Sequence, residues 1–297
     1  MAKKKRLKDL TIKHNFMFGA VMCDETNCKE LLEMILPFPI ERVEISKEKS
    51  ILYHPEYKGV RLDVFAKDEH GTHYDIEMQA LPKSSITKRS RYYHSQMDME
   101  FLLSGEDYDQ LPDSYVIFIC DFDSLGKKKY CYTFENLCQE DTTLHLNDGC
   151  RTIFLSTKGE NDEDVSESLI KFLKYVHADL SESTKDFEDM FVTKLQKSVR
   201  HIKDSREMEE RFMLFEELLK DERAEGRAEG LAEGLAEGLA KGLEALATSV
   251  LSLLEDKGVV PKDLQDKILC EKDMDILQKW LKLAAKAESI EQFQNGM

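Results

Sequence analysis

Three rhythms of apolar and polar positions divide the chain. Up to about Ser156, helical and strand-like patterns are mixed. Phe16, Ala20 and Val21 fall on an opening helix. Leu31, Leu32, Ile35 and Leu36 fall on a second, which starts near Asn27 and is stopped by Pro37 and Pro39. Strand-like runs follow at 43–46, 60–66, 72–79, 115–121, 130–134 and 151–155. Between the third and fourth runs the spacing predicts a helix over 86–103, ended by Gly105. Helix, three strands, helix and further strands read as one α/β core.

From Asp164 to about Arg223 the period is helical throughout. Val165, Leu169, Phe172, Leu173 and Val176 recur at three and four, as do Met208, Phe212, Phe215 and Leu219. Such stripes face a core and carry no chemistry here. The third rhythm is a four-residue repeat: Ala224-Glu225-Gly226 recurs at 228, 232 and 236 and ends as Ala240-Lys241-Gly242, with Leu231, Leu235, Leu239 and Leu243 alongside. Each glycine inside a helix costs about 1 kcal/mol relative to alanine, so these five together cost roughly 5 kcal/mol. The segment is therefore either a flexible linker or a helix whose bare backbone a partner approaches closely. Gly-x-x-x-Gly also packs helices in membranes, but the recurring Glu excludes that setting. Two further helical stretches cover 261–269 and 273–287, with Trp280 as an apolar anchor. The organisation expected is a core over 1–160, a helical extension packed on it over 161–223, a repeat helix or linker over 224–247, and a helical segment over 248–297.

Composition narrows the function classes. At 297 residues the chain accommodates one core of moderate size with appendages, and 41% hydrophobic content argues against disorder. The longest apolar run, 115–120, is far too short to span a bilayer. Lys3, Lys4, Lys5 and Arg6 precede no apolar segment, so they read as a solvated terminus, with a nucleic-acid arm as the alternative. The seven cysteines form no C-x-x-C pair, and His145 among Cys131, Cys138 and Cys150 matches no zinc spacing. Reduced thiols, buried as small apolar groups, and a cytoplasmic location are expected. A net charge of −16 opposes general affinity for polyanions. One stretch departs from it: 80–97 contains no Asp or Glu and carries Lys83, Lys88, Arg89 and Arg91.

The chemistry concentrates between Arg61 and Gln79. Two strand-like runs flank the turn-rich Asp68-Glu69-His70-Gly71. A hairpin centred on residue 70 places Asp63 opposite Glu77, with Cβ atoms about 5 Å apart, and Arg61 opposite Gln79 on the same face. Leu62, Val64, Ala66, Tyr74, Ile76 and Met78 form the other, apolar face, and this alternation fixes the register independently of the turn. Two carboxylates so close repel unless a cation lies between them. Octahedral Mg²⁺ takes one or two carboxylates, keeps waters and accepts phosphate oxygens. The basic helix begins just after Gln79, so Lys88, Arg89 and Arg91 are placed to grip a nucleic-acid backbone, with Tyr92 or Tyr93 stacking on a base. The plain alternative is a hairpin with one wet face that happens to be acidic.

Arg61-Leu62-Asp63-Val64, Ile76-Glu77-Met78-Gln79 and Lys88-Arg89-Ser90-Arg91-Tyr92-Tyr93, in that order, resemble the PD-(D/E)XK nuclease family transposases, also called the recombination-promoting nucleases. Asn15-Phe16-Met17-Phe18 is similar to that family's opening aromatic motif, and the Ala-Glu-Gly-Leu tail is a habit of its members. The resemblance covers about residues 11–180 and implies a restriction-endonuclease-like αβββαβ core with a helical C-terminal extension. It implies Mg²⁺, or Mn²⁺, bound by Asp63, Glu77 and the Met78 carbonyl. Gln79 then stands where the superfamily has a catalytic Lys. Glutamine orients a water or phosphate but supplies no cation, so Arg61, Lys88 or Arg89 is left to replace the charge. Lys88 is preferred for proton chemistry because Arg stays protonated. The superfamily's extra acid on the first helices falls to Glu30 or Glu33, both of which also read as solvated face residues.

The expected activity is a metal-dependent DNA endonuclease associated with recombination or mobile elements. Catalysis falls to Asp63, Glu77, Gln79 and Lys88, and DNA contact to Arg61, Lys83, Lys88, Arg89, Arg91 and Tyr92. The alternative is a catalytically inert nuclease fold that binds DNA or protein. The glycine cost in the tail leads to a further expectation, a homo-oligomer formed through 224–246.

Overall fold

A computed structural model of the chain describes residues 5–46, 50–51, 60–82 and 85–297. They fall into two compact units, Met1–Phe215 and Glu216–Met297.

The first unit opens with α1 (Asn15–Met22) and α2 (Glu25–Ile35). Asp24 caps α2 by accepting from the Thr26 and Asn27 amides, and the helix stops before Pro37. Strands β1 (Val43–Ser46), β2 (Ser50–Ile51), β3 (Val60–Arg61), β4 (Val64–Asp68) and β5 (His73–Gln79) follow. Helix α3 (Ile86–Phe101) then crosses to β6 (Ser114–Cys120), and β7 (Cys131–Phe134), β8 (Cys150–Ser156), α4 (Glu167–His177) and α5 (Met190–Asp204) complete the unit. The main sheet has the order β1-β4-β5-β6-β8-β7. Its first three strands are antiparallel, while β5, β6 and β8 run parallel. A parallel neighbour requires a crossover of helical length, and α3 supplies it. This is the αβββαβ order that the resemblance implies. β6 is buried at every position, as its unbroken apolar run requires of a central parallel strand.

Two cores flank the sheet. Val64, Ala66, Tyr74, Ile76, Met78, Ile117 and Ile119 pack with α1, α2, α4 and α5. On the opposite face, Phe65, Val116, Phe118 and Phe154 pack with Ile86, Tyr93 and Met97 of α3. The predicted strand over 60–66 is broken at Leu62 and Asp63. Arg61 pairs with Ser50 in a separate two-stranded ribbon and does not oppose Gln79. At the break Leu62 changes sides and joins the core under α3.

In the second unit, helix α6 (Arg206–Glu255, beginning in the first) carries the repeat. Leu231, Leu235 and Leu239 are exposed, and apart from the helix's own backbone and chain neighbours no atom of the described residues lies within 4 Å of where a Cβ would stand on Gly226, Gly230, Gly234 or Gly238. Nothing among the described residues therefore offsets the glycine cost at those four positions. The end of α6 packs with α7 (Lys262–Leu269), α8 (Met274–Lys286) and α9 (Ile290–Gly296) around Val250, Leu254, Ile268, Leu277 and Phe293. Trp280 joins this core with Lys267 over its ring. Among the described residues no helix is long and apolar enough to cross a membrane. Of the cysteines only Cys28 and Cys120 are buried, so the expectation of uniformly buried thiols is corrected: Cys270 is exposed and the others are half-buried. His145 bonds to Glu135 rather than to any cysteine.

Candidate functional site

The β4–β5 hairpin turns through Asp68 and Gly71. Asp68 Oδ1 accepts from the His70 and Thr72 amides, and Gly71 adopts φ +86°, a conformation glycine enters without strain. The register pairs Val64 with Ile76, Phe65 with Asp75, Ala66 with Tyr74 and Lys67 with His73. One step beyond this ladder, Asp63 and Glu77 face each other across the strand break. Two main-chain amides hold them: the Asp63 amide donates to Glu77 Oε1 (3.1 Å), and the amide of Met78, next after Glu77, donates to Asp63 Oδ2 (3.1 Å). From the start of α1, the Asn15 amide group donates to both Asp63 oxygens at 3.2 and 3.0 Å.

The face bearing Glu77 is not wet. His73, Asp75, Glu77 and Gln79 are all buried, because α3 lies across them. Arg89 of α3 reaches in. Its Nη2 donates to Glu77 Oε2 (2.9 Å) and to the Tyr93 hydroxyl (2.8 Å), and its Nη1 donates to Gln79 Oε1 (2.8 Å). The guanidinium also lies over the Tyr93 and Phe118 rings. Burial pulls its pKa down, but the Tyr93 hydroxyl and the charges of Glu77 and Asp63 outweigh that and hold it above the ordinary value. Gln79 donates its own amide hydrogen to the Leu81 carbonyl (2.7 Å), so both ends of its side chain are engaged.

Asp75, two residues before Glu77 on the same face, is fully buried, and neither of its oxygens has a hydrogen-bond partner among the described residues. Burial, followed by the charges of Glu77 and Asp63, pushes its carboxyl well above the usual range, with Arg89 opposing. Arg89 is thus bonded to Glu77 and feels the charge of Asp63, and it opposes the upward shift of Asp75.

Of the residues singled out in the sequence, the structure brings Asp63, Glu77, Met78, Gln79 and Arg89 together. Lys88 and Arg91 lie on the exposed side of α3. Tyr92 packs against the core beneath that helix, and Tyr93 is buried. Lys83 lies outside the described residues, as do Lys3 and Lys4, and for Arg61 only the backbone is described. Glu30 pairs with Lys194, and Glu33 accepts from the Ile40 amide. The first-helix residue at Asp63 is instead Asn15. Asn15 and Asp75 were both missed as site residues. Asp75 had a signal in the sequence, since it shares the two-residue period of Glu77.

No group of three or more His, Cys, Asp or Glu side chains among the described residues forms a ready cage for a metal ion. Mg²⁺ does not need one, because two carboxylates suffice when waters and phosphate oxygens complete the shell. Hard oxygen donors at Asp63 and Glu77, and the unpartnered oxygens of Asp75, fit such a cation. Asp63 and Glu77 lie near the carboxyl end of β5, where open α/β sheets bind ligands, and Asp75 lies two residues earlier on that strand. A cavity of about 660 Å³ lined by Phe38, Tyr115, Glu135 and Arg151 opens at the other end of the parallel strands and holds none of these groups. The family model described as PD-(D/E)XK nuclease family transposase matches residues 12–227. No curated protein and no solved structure matches the chain.

Proposed function

We propose that this chain, which belongs to the PD-(D/E)XK nuclease family transposases, is a metal-dependent endonuclease that hydrolyses DNA phosphodiester bonds during recombination or movement of mobile elements. The observation that carries the reading is the meeting of Asp63 and Glu77 across the strand break, where the Asp63 amide donates to Glu77 Oε1, with the fully buried Asp75 two residues before Glu77. A buried carboxyl with no hydrogen-bond partner among the described residues, beside two further carboxyl groups, favours the arrival of a cation. Asp63 and Glu77, with the Met78 carbonyl, would hold Mg²⁺ or Mn²⁺. When bound, the ion polarises the scissile phosphate and lowers the pKa of the attacking water.

The side chains divide the remaining work. Asn15 and the Met78 amide fix the Asp63 carboxylate. Gln79 holds Arg89 at the place where its superfamily relatives carry a lysine, so the missing charge comes from a neighbouring helix. Arg89 supplies a permanent cation with a fork suited to phosphate oxygens, but no titrating proton. Lys88 and Arg91, exposed on the outer side of α3, contact the DNA backbone.

The Arg89–Glu77 bond also favours a second reading. It neutralises one of the two carboxylates and so supports an inert fold that binds DNA or protein. Nicking of supercoiled plasmid separates the two readings. The full chain should nick with Mg²⁺, not with EDTA, and Asp63→Ala should abolish nicking. Absence of nicking by the wild type with either Mg²⁺ or Mn²⁺ would favour the inert module.

We also propose a homo-oligomer formed through 224–246, where the exposed leucines and bare glycines would find their partner in a second copy. Sedimentation of the full chain and of a chain ending at Arg223 should give a larger species only for the former.

A further inference from the structure

The carboxyl ends of β6 and β8 carry a second polar cluster that the nuclease centre does not use. Asp121 is the first residue after β6, and its amide donates to the Gln79 carbonyl (3.0 Å), which fixes it one strand spacing from the end of β5. Thr157, the first residue after β8, donates its amide to the Cys120 carbonyl (3.0 Å). Asp121 and Thr157 thus stand roughly 5 and 10 Å along the sheet from Gln79.

Asp121 is largely buried and fully engaged. Oδ1 accepts from Thr157 Oγ1 (3.0 Å) and from His177 Nδ1 (2.6 Å), and Oδ2 accepts from Lys13 Nζ (3.0 Å). Burial pushes its carboxyl up, but these donors more than reverse the effect and leave it below the usual range. Lys13 Nζ donates a second bond to the His177 carbonyl (3.0 Å). Lys158 Nζ lies 2.9 Å from His177 Nε2 and 3.2 Å from Nδ1, and with Nδ1–H directed at Asp121 it donates to Nε2. An ammonium has three donors. Lys13 has one left and Lys158 has two. Asp121 and His177 thus hold two cations against one carboxylate, leaving three N–H groups with no partner among the described residues beside the candidate nuclease centre. Lys13 also lies two residues before Asn15, which holds Asp63, so one short segment braces both clusters.

We propose that Lys13 and Lys158, held in place by Asp121 and His177, bind a second backbone phosphate of the DNA strand whose scissile phosphate lies at Asp63 and Glu77. The proposal rests on the nuclease reading and adds to it a fixed direction of the strand, across the carboxyl ends of β5, β6 and β8. In a protein of net charge −16, such a local excess of positive charge is what a phosphate contact requires.

The test is binding of the full chain to a labelled duplex DNA in EDTA, at salt from about 50 to 200 mM, so that cleavage plays no part. Lys13→Gln with Lys158→Gln should flatten the slope of log affinity against log salt by about 0.9, the contribution of one phosphate contact. Lys13→Arg with Lys158→Arg should retain the slope. Lys185→Gln with Lys197→Gln, an equal charge change at exposed sites elsewhere, should leave it unaltered. If the double glutamine variant melts, Lys158→Gln alone should flatten the slope by up to about 0.9. Wild-type binding with an unchanged slope in the glutamine variants would overturn the phosphate site and leave the nuclease reading intact. Wild type that does not bind DNA at any salt would overturn both.

Discussion

The two faces of the six-stranded sheet are both packed against helices and are filled differently. Toward α1, α2, α4 and α5 the strands present Val64, Ala66, Tyr74, Ile76, Met78 and Ile117, which is ordinary core. Toward α3 the same strands present Asp75, Glu77 and Gln79 next to Phe65 and Phe118. Burying charge lowers stability where burying Ile117 raises it. Asp75 and Glu77 sealed beneath a helix make this face the candidate for chemistry rather than structure. The apolar face holds the sheet, and the polar face uses the rigidity so obtained.

Substitutions on each face should therefore fail in different ways. The largest effect is expected from Ile117→Ala on the apolar face, at roughly 2–5 kcal/mol of stability. It should be visible as an earlier denaturant midpoint with nicking per folded molecule unchanged. Acid should act through the polar side. His94 of α3 bonds to Ser114 and Thr152, and burial lowers its pKa to about 4. Its folded pKa lies below the unfolded value, so the unfolded chain binds more protons between about pH 6.5 and 4. Stability should fall across that window as pH falls, by on the order of 3 kcal/mol, and His94→Gln should flatten the curve measured by denaturant titration. The smallest effect is expected from Arg89→Lys. It keeps the charge but loses the fork that joins Glu77, Gln79 and Tyr93, and should slow nicking about ten- to a hundredfold. Equal activity in that variant would mean that a point charge suffices and that Gln79 does not act through the arginine.

The register of the hairpin was legible because turn chemistry and alternation agree on one pairing, and β4 and β5 follow it. The break at Leu62 and Asp63 was not, since Arg61-Leu62-Asp63-Val64 continues the alternation without a proline or glycine to interrupt it. Nor does a polar stripe distinguish water from a covering helix, and so the face bearing Glu77 looked wet. The choice between Lys88 and Arg89 turned on helix phase. Ile86, Ser90, Tyr93, His94 and Met97 are the buried stripe of α3, and Arg89 lies at its edge while Lys88 and Arg91 point outward. Asp75 was passed over because spacing alone does not report that a carboxyl lacks a hydrogen-bond partner.

The central claim is that the buried acids of the α3 face exist to hold a divalent cation. Calorimetric titration of Mn²⁺ and Mg²⁺ into the full chain and into Asp63→Ala tests it without reference to cleavage. The account predicts saturable binding to the wild type that is lost in the variant, with both proteins melting as folded chains. Equal binding by both, or none by the wild type, would contradict it.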